Sequence, residues 1–205
     1  MPVIIDYGVG NLFSLTSSFK FIGQDVTVTS DKKKIAAADK LILPGVGAFS
    51  DAAKALKETG MYDVVREEAA KGKPLLGICL GMQMLLTKSY EYGEHDGLDL
   101  IPGNVKPIAP IIGSELKVPH IGWNALIFPE DKPKSKLYKY VEPGEHVYFV
   151  HSYYGADCTE YVSAYSEYGA MLTASVEHEN VYGTQFHPEK SGKTGLNILK
   201  AFCEI

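Results

Sequence analysis

The sequence predicts an α/β protein: a mostly parallel central sheet flanked by helices, with an antiparallel C-terminal extension. Three observations predict it. Short apolar runs at Val3-Ile4-Ile5, Leu41-Ile42-Leu43 and Pro74 to Ile78 alternate with segments of helical periodicity, the pattern of strands buried on both faces. Glycine-bearing turns join them, as in a sheet covered by helices on both sides. After about residue 100 the texture changes to closely spaced strand-like runs rich in Tyr, Val and Thr, with Gly, Asn and Pro between them, which favours antiparallel pairing.

Taken in order, Val3-Ile4-Ile5 reads as a buried strand ended by the glycine-rich loop Asp6 to Asn11. Leu12, Leu15, Phe19 and Ile22 recur at helical spacing, so one face of a helix packs on a sheet. Val26 and Val28 alternate as in a strand, a short helix is expected over Lys32 to Ala38, and Leu41-Ile42-Leu43 is the next buried strand. Helical stretches at Ala48 to Leu56 and Met61 to Ala70 precede the strand Pro74 to Ile78, and a further one runs from Met82 to Leu86. In the second half, strands are expected at Val105 to Ile108, Leu116 to Val118, Val147 to Tyr153, Tyr161 to Tyr165, Leu172 to Val176 and Val181 to Phe186. Ser191 is placed to cap a closing helix that carries Leu196, Leu199 and Phe202 on one face. No repeat, low-complexity tract or linker interrupts the chain, so residues 1–205 read as one domain.

Composition narrows the function. At 205 residues, 45% hydrophobic and 22% charged, the chain has the balance of an ordinary soluble globular protein. The net charge is −5 with both signs interspersed. The one compact basic run, Lys32-Lys33-Lys34, reads as a solvated helix start, so nucleic acid is not an expected partner. No apolar run approaches the roughly 18 residues of a membrane span, and the N-terminus lacks a secretory pattern, so a cytoplasmic location is expected. Cys79, Cys158 and Cys203 form no close pair and show no metal-ligand spacing. Neither a metal nor a cofactor is expected, and Cys158 and Cys203 read as structural or incidental.

Cys79 is different. A buried-strand pattern runs straight into Gly77-Ile-Cys79-Leu-Gly81, and a helix-forming stretch follows. This is a nucleophile elbow with cysteine in place of serine: Gly77 and Gly81 lack the side chains that would block the sharp turn. A thiol at a helix N-terminus feels the positive end of the backbone dipole, which favours the reactive thiolate. Near the other end, His187-Pro188-Glu189 follows a strand and supplies a base with a carboxylate able to orient it. Acyl transfer also needs donors for an oxyanion. The N–H of Leu80 is the natural first one, and the loop Pro44-Gly45-Val46-Gly47 can offer a second through Val46 or Gly47.

Gly77-Ile-Cys-Leu-Gly-Met-Gln83, Pro44-Gly-Val-Gly-Ala-Phe49 and Gly183-Thr-Gln-Phe-His-Pro-Glu-Lys-Ser191 resemble the class I (triad) glutamine amidotransferases. Asp6-Tyr-Gly-Val-Gly-Asn11, Pro119-His-Ile-Gly-Trp-Asn124 and Tyr148-Phe-Val-His-Ser-Tyr153 narrow the resemblance to the glutaminase subunits of imidazole glycerol phosphate synthase, of histidine biosynthesis. The resemblance runs from Ile5 to the closing helix, with no synthase domain attached. It implies that Cys79 attacks the side-chain amide of L-glutamine, that His187 protonates departing ammonia, and that water then hydrolyses a γ-glutamyl thioester. It implies substrate contacts from Gln83, Glu91, Ser152 and Tyr153. It also implies a separate cyclase subunit as heterodimer partner, docked at Trp123, Asn124, Tyr138 and Lys190, which receives the ammonia and closes an imidazole ring. The phosphate site belongs to that partner, and Gly8-Val-Gly10-Asn11 lacks the full dinucleotide fingerprint.

Two other enzyme readings compete. A Cys-dependent hydrolase on a similar sheet has no need of the His-Pro-Glu segment or of Gln83. A glutaminase serving another synthase, for instance in vitamin B6 formation, would share the chemistry but not the Pro-His-Ile-Gly-Trp-Asn segment. A scaffolding relative would be expected to lose a triad member, and all three are present.

Overall fold

A computed structural model describes residues 1–205. The first part of the chain forms β1 (Val3–Ile5), α1 (Leu12–Phe21), β2 (Thr27–Thr29), α2 (Lys32–Ala37), β3 (Leu41–Leu43), α3 (Phe49–Glu58), α4 (Met61–Ala70), β4 (Leu75–Ile78) and α5 (Leu80–Leu85). The remainder forms β5 (Leu86–Ser89), β6 (His95–Asp96), β7 (Ile101–Pro107), β8 (His120–Ala125), β9 (His146–His151), β10 (Tyr153–Ala156), β11 (Val162–Glu167), β12 (Met171–His178), β13 (Val181–Thr184) and the closing α6 (Gly192–Glu204). A seven-stranded sheet has the order β11-β12-β13-β4-β3-β1-β2. It is parallel from β13 to β2 and antiparallel across β11, β12 and β13.

The apolar runs are buried because both faces of this sheet are covered. Val3 and Ile5 of β1, Leu41 and Leu43 of β3, and Leu75 of β4 pack into one core cluster. Ile4, Ile42, Leu76 and Ile78 pack into the other. That division is the two-residue side-chain period of a strand. α3 and α4 cover the first face with Phe49, Leu56, Met61 and Val65; α1 and α6 cover the second with Leu15, Phe19, Ile198, Leu199 and Phe202. Burying each such side chain stabilises the fold by roughly 1.5–3 kcal/mol, so neither helical layer is dispensable. The lysines at 32–34 are exposed in the first turn of α2, where Asp31 caps the Lys33 N–H at 2.8 Å.

The second half departs from expectation in several places. Leu116 to Val118 is not a strand: Leu116 and Val118 are exposed and lead into the cis peptide Val118–Pro119. The strand lies immediately beyond, as β8, so Gly122-Trp123-Asn124 is the middle of a strand and not a turn. β8 pairs antiparallel with β9 in a separate two-stranded ribbon. The alternation of β8 is inverted: Ile121 and Trp123 face outward while His120 is buried, so its apolar residues do not mark a core face. The run Val147 to Tyr153 is two strands, β9 and β10, broken at Ser152. β5 and β6 were not anticipated; with β7 and β10 they form a four-stranded sheet of order β10-β7-β5-β6. Of the second-half strands, β13 joins the parallel part of the main sheet, and β11 and β12 extend it antiparallel.

Two helix ends also differ. α5 begins at Leu80, directly after Cys79, and not at Met82. Ser191 stands at the N-cap of α6, but its hydroxyl makes no cap bond. It donates instead to the His187 carbonyl (2.6 Å) and accepts the Tyr148 N–H (2.9 Å). Along α6, Ile198 takes the core position expected of Leu196. No helix is long and apolar enough to cross a membrane.

Candidate active site

β4 ends at Ile78, and the chain turns into α5 through a single residue. Cys79 takes that bend with φ 55° and ψ −109°, a conformation that costs an L-residue on the order of 1–3 kcal/mol. Its N–H is anchored at 2.7 Å on the carbonyl of Thr184, at the end of the neighbouring β13. The turn is tight: a Cβ at Gly81 would lie 1.9 Å from the Leu43 carbonyl oxygen, and one at Gly77 would lie 2.6 Å from that of Gly81. Glycine at both positions therefore lets α5 start directly against the end of β3. The same close packing sets Gly45 against Leu80 and Gly81, which brings the loop of residues 44–47 beside the first turn of α5.

His187 arrives by register. Thr184 pairs with Ile78 in the parallel β13–β4 ladder, so the two strands end level and Cys79 and His187 leave the sheet side by side. The His187 N–H donates to the Tyr148 carbonyl at 3.0 Å, and the short turn Pro188–Lys190 swings Glu189 back toward the ring. Nδ1 of His187 lies 2.8 Å from Oε1 of Glu189. A carboxylate only accepts, so Nδ1 carries the hydrogen and Nε2 is left for the thiol. Burial alone would push the imidazole down, but hydrogen bonds and charge from Cys79 and Glu189 outweigh it and lift His187 to about 9. The other Glu189 oxygen, Oε2, is buried without a partner in the chain, so the neighbouring imidazolium is its main compensation.

Cys79 and His187 open onto a cavity of about 370 Å³. Of the residues singled out by sequence, Val46, Gly47, Leu80, Gln83, Glu91, Ser152, Tyr153 and Lys190 all line it. The N–H groups of Val46 and Gly47 make no hydrogen bond within the chain. Gln83 donates from Nε2 to the Tyr153 carbonyl (3.1 Å) and to Oε1 of Gln185 (3.0 Å). Glu91 is buried, and its Oε2 accepts the Phe49 N–H at 2.6 Å. Trp123 on β8 is 53% exposed. Its ring meets the edge of Tyr148 at 6.0 Å, and the Lys190 ammonium lies 5.8 Å from the Tyr148 ring centre.

The family model for class I glutamine amidotransferases matches residues 3–205. The chain belongs to that family. It is 49% identical to the imidazole glycerol phosphate synthase subunit HisH of Carboxydothermus hydrogenoformans over the whole of both chains. It is 50% identical to the protein of the same name from Methanothermobacter thermautotrophicus, covering all of this chain and 98% of that one. Among solved structures, a glutamine amidotransferase superposes with a TM-score of 0.75 at 20% identity, over 98% and 97% of the two chains. PurLQS from Thermotoga maritima superposes at 0.72 and 19%, over 99% and 97%. These two likenesses speak for the amidotransferase fold alone.

The structure of this amidotransferase corrects one site residue. Tyr138 is not at any surface, so it cannot meet a partner as expected. It is wholly inside the core beside Phe128, its hydroxyl 2.5 Å from that of Ser175. The aromatic that faces Trp123 is Tyr148, which pairs with it across the β8–β9 ribbon. Asn124 is half-buried, holding His120 and the Glu167 carbonyl. Sequence reasoning also passed over Gln185, Tyr92 and His151. Gln185 points its amide at the Cys79 sulfur (3.8 Å), while Tyr92 and His151 line the cavity. The Gly-Thr-Gln-Phe-His segment held the signal for Gln185; Tyr92, at a positive φ beside Gly93, left none.

Proposed function

We propose that this amidotransferase is the glutaminase subunit of imidazole glycerol phosphate synthase, hydrolysing L-glutamine and passing the ammonia to a separate cyclase subunit. The observation that carries the reading is the near-half identity, end to end, to relatives of that name in a chain that keeps Cys79, His187 and Glu189. Residues 1–205 act as one amidotransferase domain, at work in the cytoplasm.

The geometry supports the following chemistry. Cys79, its proton taken by Nε2 of His187, attacks the side-chain amide carbon of glutamine. The tetrahedral oxyanion takes N–H donors from Leu80 and from Val46 or Gly47; one such donor is worth about 3 kcal/mol in the transition state. The imidazolium, held by Glu189, gives its proton to the leaving ammonia. His187 then takes a proton from the water that hydrolyses the γ-glutamyl thioester. Glu91 keeps one oxygen on the Phe49 N–H and offers the other to the substrate ammonium; Gln83, Ser152 and Tyr153 complete that end of the pocket. Ammonia is a nucleophile only while unprotonated, so a closed passage past the β8–β9 ribbon into the partner serves the reaction. Trp123, Tyr148 and Lys190 are the side chains placed to seal that joint, with Asn124 alongside.

The test is glutamate release by the purified chain, alone, with the cyclase, and with the cyclase plus its ribonucleotide ligand. The chain alone is expected to be slow, because the loop of residues 44–47 awaits its partner, and release should rise with each addition. Full activity without the cyclase would sink the coupling, and no Cys79-dependent glutamate under any condition would sink the function.

A further inference from the structure

Two buried histidines outside the triad are joined into one chain of hydrogen bonds. Nδ1 of His151 lies 2.8 Å from the Tyr153 carbonyl, which can only accept. Nε2 of His151 lies 3.1 Å from Nδ1 of His120. Nε2 of His120 lies 2.8 Å from Oδ1 of Asn124. The Asn124 amide cannot be turned around, because its Nδ2 donates to the Glu167 carbonyl at 2.9 Å. Both ends of the histidine pair are therefore acceptors.

Counting protons exposes a deficit. The chain has three junctions, and each requires one N–H. Two neutral imidazoles bring only two. Burial pushes both rings down, His151 to about 4 with further pressure from His120 and His187, while Asn124 partly restores His120. The other surfaces against His120 are the faces of Tyr168 (4.0 Å) and Phe149 (5.0 Å), which supply no anion. Near neutral pH the outer junctions take both protons, His120 as Nε2–H and His151 as Nδ1–H. Two lone pairs then face each other across the middle junction, the longest of the three.

The inner end of the chain reaches the glutamine pocket. The Tyr153 carbonyl also accepts from Gln83, Gln83 donates to Gln185, and Gln185 faces the Cys79 sulfur. The outer end is half-exposed Asn124, next to exposed Trp123 on β8. We propose that His120 and His151 are positioning residues for the glutaminase reaction, and that the open joint between them closes when a partner draws Asn124 away. Released from Asn124, His120 loses its proton from Nε2 to solvent and takes one at Nδ1. It then donates to His151, and the wall of the pocket is tied continuously to the ribbon. No net proton is gained or lost. This inference rests on the glutaminase reading above.

The first test is ¹⁵N NMR of the chain labelled at its histidine rings, near neutral pH. His120 should be a neutral Nε2–H tautomer and His151 a neutral Nδ1–H tautomer, and Asn124→Ala should convert His120 to Nδ1–H. A charged ring, or a His120 tautomer indifferent to Asn124→Ala, would overturn the mechanism. The second test is glutamate-release kinetics with the cyclase present. His151→Phe should raise KM for glutamine about tenfold with kcat altered less than about threefold, because the pocket wall binds substrate and does not react. His151→Asn, whose amide can replace the Nδ1–H donor to Tyr153, should bring KM back to within about threefold of wild type. An unchanged KM in His151→Phe, or no rescue by His151→Asn, would overturn the positioning role. Wild-type release is measured first, and its absence would overturn the glutaminase reading itself.

Discussion

Around Cys79 the cavity wall is made of backbone packed on backbone; around Tyr153 it is made of side chains hydrogen-bonded to one another. The first wall is set by β3, β4, β13 and α5, where Gly77 and Gly81 close gaps too narrow for a Cβ. The second is set by the β8–β9 ribbon and β10, held through His120, His151 and Gln83. A backbone wall has one arrangement because interiors deform little. A buried hydrogen-bonded wall is rigid only when every junction is satisfied, and the His120–His151 joint is one N–H short. The proposed nucleophile therefore sits on the fixed wall, and the proposed partner surface on the adjustable one.

Mutations that separate the two walls test this contrast. On the fixed wall, Cys79→Ala is expected to cut glutamine-dependent glutamate release by about a thousandfold or more. Imidazole-ring synthesis from added ammonium salt by the reconstituted pair should stay near its wild-type rate, since the cyclase does not use the thiol. Loss of both activities in a coupled assay would break the division of labour. Gly81→Ala follows: its methyl would collide with the Leu43 backbone. We expect a loss of about 3 kcal/mol or more in urea unfolding, or no folded protein at all.

The triad's charge gives a pH signature. The folded His187 titrates at about 9, above its ordinary 6.5. Its contribution to stability is therefore complete below about pH 6.5 and fades as pH rises through about 9. The urea midpoint of wild type relative to His187→Gln should fall across that window. A difference that stays flat, or grows with pH, would contradict the charge-stabilised imidazole.

The smallest pair of effects sets the buried core against the adjustable wall. Tyr138→Phe removes a buried hydroxyl bond to Ser175 and should cost about 1 kcal/mol of stability with cyclase affinity unchanged. Trp123→Ala should do the opposite, leaving stability within about 0.5 kcal/mol while weakening cyclase binding in a titration. The reverse pattern would return Tyr138 to the docking surface.

The same contrast explains what was legible in the sequence. Val3 to Ile5, Leu41 to Leu43 and the strand into Cys79 are local patterns, and their buried parallel pairing follows from composition. Cys79, His187 and Glu189 could be named because the elbow and the His-Pro-Glu turn are short, self-contained segments. β8 was not legible: Gly122 and Asn124 look like a turn until β9 is laid beside them. Tyr138 and Tyr148 are both aromatics in Tyr-rich stretches, and only the pairing of Trp123 with Tyr148 tells which one faces outward. His151 sits in an alternating strand where an inward histidine reads as core. Its partners, His120 and the Tyr153 carbonyl, come together only when the ribbon and β10 assemble. Local rules reach the fixed wall, and tertiary pairing writes the other.

The most direct test of the whole account is to quench the chain with its cyclase during glutamine turnover and map covalent adducts by peptide mass spectrometry. A γ-glutamyl group should be found on the peptide carrying Cys79, and it should be absent in Cys79→Ala. Wild-type glutamate production by Cys79→Ala, or an acyl adduct carried only elsewhere, would contradict the thioester mechanism.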